Sequence, residues 1–167
     1  MSHRRPHLLL SSLIALTVAL TGCASTDIAS TPANVVVAAN SNADLTTFAK
    51  LIKQAGLEST LEAAGPVTVF APSDEAFKAL PAATLDKLSK DPEHLKSLLN
   101  YHVVPGLMKA SDFDGSKQIA TANGAKVTVS KAGDFVTVDD ALVTKADIAS
   151  GNGVIHVIDR LLTPPKK

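Results

Sequence analysis

Ser73, the histidines His102 and His156, and the aspartates Asp74, Asp139 and Asp159 are the residue types of a nucleophilic triad. A serine becomes a nucleophile only with a base in hydrogen-bond reach and an acid to orient that base. The surroundings of Ser73, "APSDEAF", lack the Gly-x-Ser-x-Gly elbow that exposes a nucleophile above a sheet. Ser73 also stands where a helix N-cap is wanted. Asp74 and Glu75 follow in the first turn, where the helix dipole favours negative charge. A metal site would need clustered ligands. His94, His102 and His156 are scattered, and neither His-x-His nor His-Glu-x-x-His occurs. Cys23 is the one cysteine, so no disulfide forms within the chain and no thiolate cluster exists. The expectation is no catalytic residue, no metal and no cofactor.

A second polar pair sits in "LLNYHVVPG", where Tyr101 and His102 are flanked by Leu98-Leu99 and Val103-Val104. A buried phenol or imidazole must find a partner or costs ~1–3 kcal/mol. Reading "YHVV" as a strand sends Tyr101 and His102 to opposite faces, His102 with Val104 and Tyr101 with Val103. His156 in "GVIHVIDRLL" shares a face with Val154 and Ile158 in the same way. The expected role of His102 is a hydrogen bond to the turn around Ser73 and Asp74, which ties two parts of the chain together.

The elements that must position these residues follow from hydrophobic periodicity. Leu45, Phe48, Leu51 and Ile52 are at helical spacing, with Asn42 or Asp44 as cap and Gly56 as stop. A short helix over Leu57 to Ala64 ends at Gly65-Pro66. "VTVF" is a strand, and Ser73 opens a helix with Ala76, Phe77 and Leu80 inward. Two short helices follow, broken at Asp91-Pro92. From Tyr101 onward the segments are short, alternating and rich in Thr and Val, with Asn123-Gly124 as a hairpin signal. Gly153 to Leu162 forms the last strand. Helices first and strands later predict an α+β fold.

The chain has 167 residues, 46% of them apolar and only 4% aromatic, so one core must rest on Val, Leu, Ile and Ala. Basic and acidic residues balance at 16 each. Arg4 and Arg5 belong to the N-terminal segment, and the remainder is slightly acidic. That excludes the basic stripe that nucleic acid requires. Leu8 to Leu20 is uncharged and, as a helix of about 20 Å, too short for a ~30 Å hydrocarbon core. It is a signal-peptide apolar region. "LTGC", Leu20 to Cys23, resembles the bacterial lipoprotein box, which implies cleavage before Cys23 and lipidation of its thiol. Two or more acyl chains hold a protein stably on a membrane. Ala24 to Asn34 is small, polar and interrupted by Pro32. A coil of this length reaches roughly 18 Å. An alanine after the cysteine implies the outer membrane if the envelope is Gram-negative.

Three stretches in order resemble the fasciclin domain: "TVFAPSDEAF" (Thr68 to Phe77), "YHVVPG" (Tyr101 to Gly106) and "NGVIHVIDRLLTP" (Asn152 to Pro164). The resemblance divides the chain into a lipoprotein signal peptide (1–22), the lipidated cysteine and a flexible tether (23–32), a fasciclin domain (33–165) and a tail (166–167). It implies a wedge-shaped β-sandwich of two sheets and about seven strands, with helices packed along one edge. Thr68, Phe70, Ser73, Asp74, Phe77, Asn152, Gly153, His156 and Asp159 fall in its two signature boxes. In animal members the Tyr-His region and an Asp-Ile pair are linked to integrin binding. Tyr101, His102, Asp147 and Ile148 match those positions. The function expected is therefore a non-catalytic, lipid-anchored adhesion or interaction module of the cell envelope. Its partner would be a protein or another cell-surface component. The alternative is a carrier or sensor of a small apolar ligand.

Overall fold

A computed structural model describes residues 34–164. The signal peptide, Cys23, the tether and the tail at 166–167 lie outside the described residues. Helix α1 (Val35–Ser41) starts at Asn34, whose side chain accepts from the Val37 amide. A 3₁₀ turn (Ala43–Leu45) is capped by Asn42 and leads into α2 (Thr46–Gln54). The cap of α2 comes from a distant residue: Asp74 Oδ1 accepts from Thr47 N at 2.7 Å. This satisfies an amide that helix geometry leaves unpaired. Next come α3 (Glu58–Ala63) and strand β1 (Val67–Pro72). Three helices then follow: α4 (Asp74–Lys78), α5 (Ala82–Lys90) and α6 (Pro92–Tyr101). The remaining strands are β2 (Val103–Pro105), β3 (Ser116–Ala120), β4 (Lys126–Ala132), β5 (Phe135–Val138), β6 (Ala141–Ser150) and β7 (Gly153–Ile158).

The strands form a seven-stranded sheet in the order β2-β1-β7-β6-β5-β4-β3. Among the described residues, only β1 and β7 pair in parallel. Both are buried along their whole length, so each carries two apolar faces rather than an alternation. Val67, Val69 and Ala71 of β1, with Ile155 and Val157 of β7, pack against α1, α2 and α6. Phe70 and Ile158 turn the other way and meet Val127, Val129, Val136 and Val138 of β4 and β5. The sheet therefore curls around its own second core. The turn after β3 closes the curl: Ala122 N donates to Val103 O at 2.7 Å and Asn123 N to Asn100 O at 3.2 Å.

Two expectations need correction. The strands hydrogen-bond in one continuous order instead of forming two separate sheets. The joint is β6, which pairs with β5 through Ala141 and Leu142 and with β7 from Val143 to Ser150. Irregular register along β6 bends it across both halves, as bulges do. The second correction concerns the Tyr-His pair. Tyr101 ends α6 and His102 caps it, so neither belongs to a strand. His102 is seven residues after Leu95 and continues the stripe of Leu95, Leu98 and Leu99. The helical period outlasts the apolar residues that announced it.

Candidate functional site

His102 is completely buried. Its Nδ1–H donates to Leu98 O at 2.8 Å, and Nε2 accepts from Leu162 N at 3.0 Å. These partners hold one neutral tautomer and pin the C-terminal segment to the end of α6. The expected bond from His102 to the Ser73–Asp74 turn is absent, because both ring nitrogens face backbone elsewhere. Burial lowers its pKa from 6.5 to about 4, against the smaller opposing effect of the Leu98 carbonyl. His156 is held in the other tautomer. Its Nε2–H donates to Met108 O at 2.9 Å, and Nδ1 accepts from Asp147 N at 3.3 Å. Burial lowers its pKa too, with the Met108 carbonyl and the Asp147 charge opposing. Phe70 stacks on its ring at 5.6 Å between centroids, and Phe113 meets it edge-on at 5.9 Å.

Tyr101 is buried, and its hydroxyl lies 2.9 Å from Asp139 Oδ2 and 3.2 Å from Lys126 O. Burial and the Asp139 carboxylate push the phenol up to about 12. Asp139 has φ +50°, a left-handed conformation that its short polar side chain tolerates. Its Oδ1 accepts from Thr128 N at 2.8 Å. Tyr101 and Asp139 border a groove of about 600 Å³, with Asp140, Arg160 and Thr163 on its walls. Replacing Tyr101 with Phe leaves the apolar packing and removes the hydroxyl. The expected loss is about 1 kcal/mol of stability in urea unfolding. An unchanged midpoint would mean that the Asp139 contact contributes nothing to the fold.

Asp147 sits in the irregular part of β6 at φ +57°, held by His156 through its amide and by Ala110 N, which donates to its Oδ1 at 2.8 Å. Asp147 is exposed, whereas Ile148 packs half-buried against the helical core. The four residues matched to a recognition role thus divide: Tyr101 and His102 lie inside, Ile148 is partly covered, and Asp147 is at the surface.

The signature-box residues join elements. Thr68 Oγ1 donates to Gly106 O at 2.8 Å and accepts from Met108 N at 2.9 Å. Ser73 Oγ caps α4 by accepting from Ala76 N at 3.2 Å. Asp159 Oδ1 accepts from Leu142 N at 2.7 Å. Asn152 Oδ1 accepts from Val35 N at 2.8 Å, and its Nδ2 donates to Leu61 O at 2.7 Å, linking β7 to α1 and α3. Phe70 and Phe77 are core residues, and Gly153 lies against the Val67 carbonyl. Ser73, Asp74 and Asp159 share a second groove of about 470 Å³ with Asp44, Lys78 and Lys145, where Lys145 pairs with Asp44. Neither His102 nor His156 bonds to Ser73, since both ring nitrogens of each are engaged by backbone. The triad types are present and unassembled. Among the described residues, no group of three or more His, Cys, Asp or Glu side chains could hold a metal ion. The partners that matter most here are the backbone groups of Leu98, Leu162 and Met108. Side-chain chemistry gives no signal for them.

These features define a class of small α+β domain in which a helical layer and a curled sheet are tied by buried histidines. Comparison with known proteins identifies the class. The Fasciclin domain model matches residues 43–164, and the chain belongs to the fasciclin domain family. It is similar to Protein sll1483 of a Synechocystis strain, 40% identical over 144 residues, covering 85% of this chain and 78% of that protein. It is also similar to the cell surface glycolipoprotein MPB83 of Mycobacterium bovis, 39% identical over 136 residues, 78% of this chain and 60% of that one. A FAS1 domain pair from the insect cell adhesion molecule Fasciclin I superposes with a TM-score of 0.65 at 21% identity, over 79% of this chain and 51% of that one. Among the described residues, no helix is long and apolar enough to cross a membrane.

Proposed function

We propose that this protein is a lipid-anchored, non-catalytic adhesion or interaction module of the bacterial cell envelope. The single observation that carries the reading is the commitment of its chemistry-bearing side chains to internal ties. His102, His156, Thr68, Asp159 and Asn152 each bond to backbone of a neighbouring segment. A domain built this way presents a rigid surface. Two further facts support the placement. "LTGC" ends an export-type segment at Cys23, and one relative, MPB83, is a cell surface glycolipoprotein. Fasciclin I, whose fold this chain shares, is a cell adhesion molecule. Both grooves have charged walls, so the carrier reading, which needs an apolar cavity, gains no support.

The test is genetic. Deletion should reduce attachment or aggregation of the cells. The anchored protein should restore it at least roughly tenfold better than Cys23→Ala secreted in equal amount, because many copies on one surface multiply weak affinities. Equal restoration by Cys23→Ala would remove the anchor from the account. Unimpaired attachment after deletion would remove adhesion.

A further inference from the structure

Strands β3, β4 and β5 send Ile119, Val127, Val129, Val136 and Val138 into the curled core. Strand alternation therefore puts Ser116, Gln118, Thr128, Ser130, Phe135 and Thr137 on the outer face. The registers align them across the sheet. Ser116 lies opposite Ser130, and Ser130 opposite Thr137, so one hydroxyl stands on each of three adjacent strands. Gln118 opposite Thr128 makes a parallel rank beside it. Ser130 Oγ donates to Ser116 Oγ at 3.0 Å and Thr137 Oγ1 donates to Ser130 O at 3.4 Å, which leaves the Ser116 proton and the lone pairs of Ser130 and Thr137 for a ligand. Adjacent strands are about 4.8 Å apart, close to the repeat of one pyranose ring in an extended chain.

At the corner of this face stands Phe135. Of the five phenylalanines, Phe48, Phe70, Phe77 and Phe113 are buried, while Phe135 is 67% exposed. Its cross-strand neighbour is Ala132, too small to cover the ring. The tight turn that precedes it, with Gly133 at φ +62°, needs no aromatic residue. Apart from Lys126 at the far end, the strands place no charged side chain on this face, although 19% of the chain is charged. With Lys126 as its one charge, the face offers little complementarity to an anionic polymer or a lipid headgroup. One apolar ring beside ranks of hydroxyls and an amide matches a sugar chain, whose C–H face stacks on an aromatic ring while its hydroxyls pair at the sides.

We propose that the outer face of β3–β5 binds a neutral polysaccharide, with Phe135 stacking on a sugar ring and Ser116, Ser130 and Thr137 hydrogen-bonding along the chain. This rests on the reading of the domain as a surface-presenting module and names its partner class. The test uses the full chain in non-ionic detergent, sedimented with curdlan and cellulose as neutral probes and with carboxymethyl-cellulose as the charged counterpart of the second. Retention on at least one neutral glucan is expected, with about tenfold weaker binding by Phe135→Ser and an unchanged melting midpoint. The double variant Ser130→Ala/Thr137→Val should also weaken it. No retention on either neutral probe overturns the proposal. So does retention indifferent to Phe135→Ser, or retention confined to the carboxymethyl form. A concentration-dependent dimer abolished by Phe135→Ser, without glucan retention, overturns it in favour of self-docking. In the deletion strain the two readings separate. Full attachment by anchored Phe135→Ser leaves adhesion standing and removes the glycan face from it. Phe135-dependent glucan retention without an attachment phenotype leaves the glycan face and removes adhesion.

Discussion

Acidification from pH 6.5 to 4 should strip about 3 kcal/mol from the domain through His102 alone. The ring is neutral in the fold, with its pKa lowered to about 4, whereas in the unfolded chain it protonates near 6.5. Between those values the unfolded state binds a proton that the folded state refuses. Stability is therefore complete above pH 6.5 and falls as pH drops towards 4. At roughly 1.4 kcal/mol per unit, the shift gives that magnitude. The structural cause is plain: a proton on Nε2 would set N–H against the N–H of Leu162. His156, whose pKa burial also lowers, adds to the loss in the same direction. Set against a typical total of 5–15 kcal/mol, such a loss is large. The check is urea unfolding of wild type and His102→Asn across this range. Asparagine can donate to Leu98 O but does not titrate. The variant should be about 2 kcal/mol weaker at pH 7.5, the two should meet at about pH 5, and by pH 4 the wild type should be the weaker by about 1 kcal/mol. Parallel curves would mean that His102 plays no part in the acid response.

The neighbourhood of His102 also shows where sequence reading succeeds and where it stops. The α+β class, the helix cap at Ser73 and the strands around Val67 and Val154 follow from local periodicity and capping chemistry, which act over a few residues. The helix end at Tyr101 is masked in the sequence because Val103 and Val104 carry a strong β signal that draws Tyr101 and His102 towards a strand. The continuing stripe from Leu95 is the contrary signal, hidden because its last member is polar. The partners of His102 are backbone groups, one of them sixty positions away. Every residue has such groups, so composition and spacing cannot single these out. The capping of α2 by Asp74 and the pairing of Tyr101 with Asp139 are likewise products of tertiary closure. The joining of two expected sheets through β6 depends on irregular register, which alternating Thr and Val residues do not reveal.

Gly153→Ala should be the most damaging single methyl added to this domain, costing about 3 kcal/mol or preventing folding outright. A Cβ at Gly153 would stand 2.1 Å from Val67 O and 3.0 Å from Val35 Cγ1. The first atom is backbone in the β1–β7 parallel pair, where Val67 and Gly153 are partners, so no side-chain rotation relieves the clash. Nor can the strands separate cheaply. Val67 N donates to Asn152 O at 3.1 Å, and Asn152 holds α1 and α3 through its own amide. Opening the pair would disturb both faces of the central strands at once. Gly124 supplies the contrast, with φ +84° and nothing within 4 Å of a built Cβ. Substitution there meets backbone strain alone, about 1–2 kcal/mol, which asparagine largely avoids. Gly124→Asn should therefore melt near wild type, while Gly153→Asn should fail as Gly153→Ala does. If Gly153→Ala melted with Gly124→Asn, the close approach of β1 and β7 would not be what requires glycine at the start of the last strand.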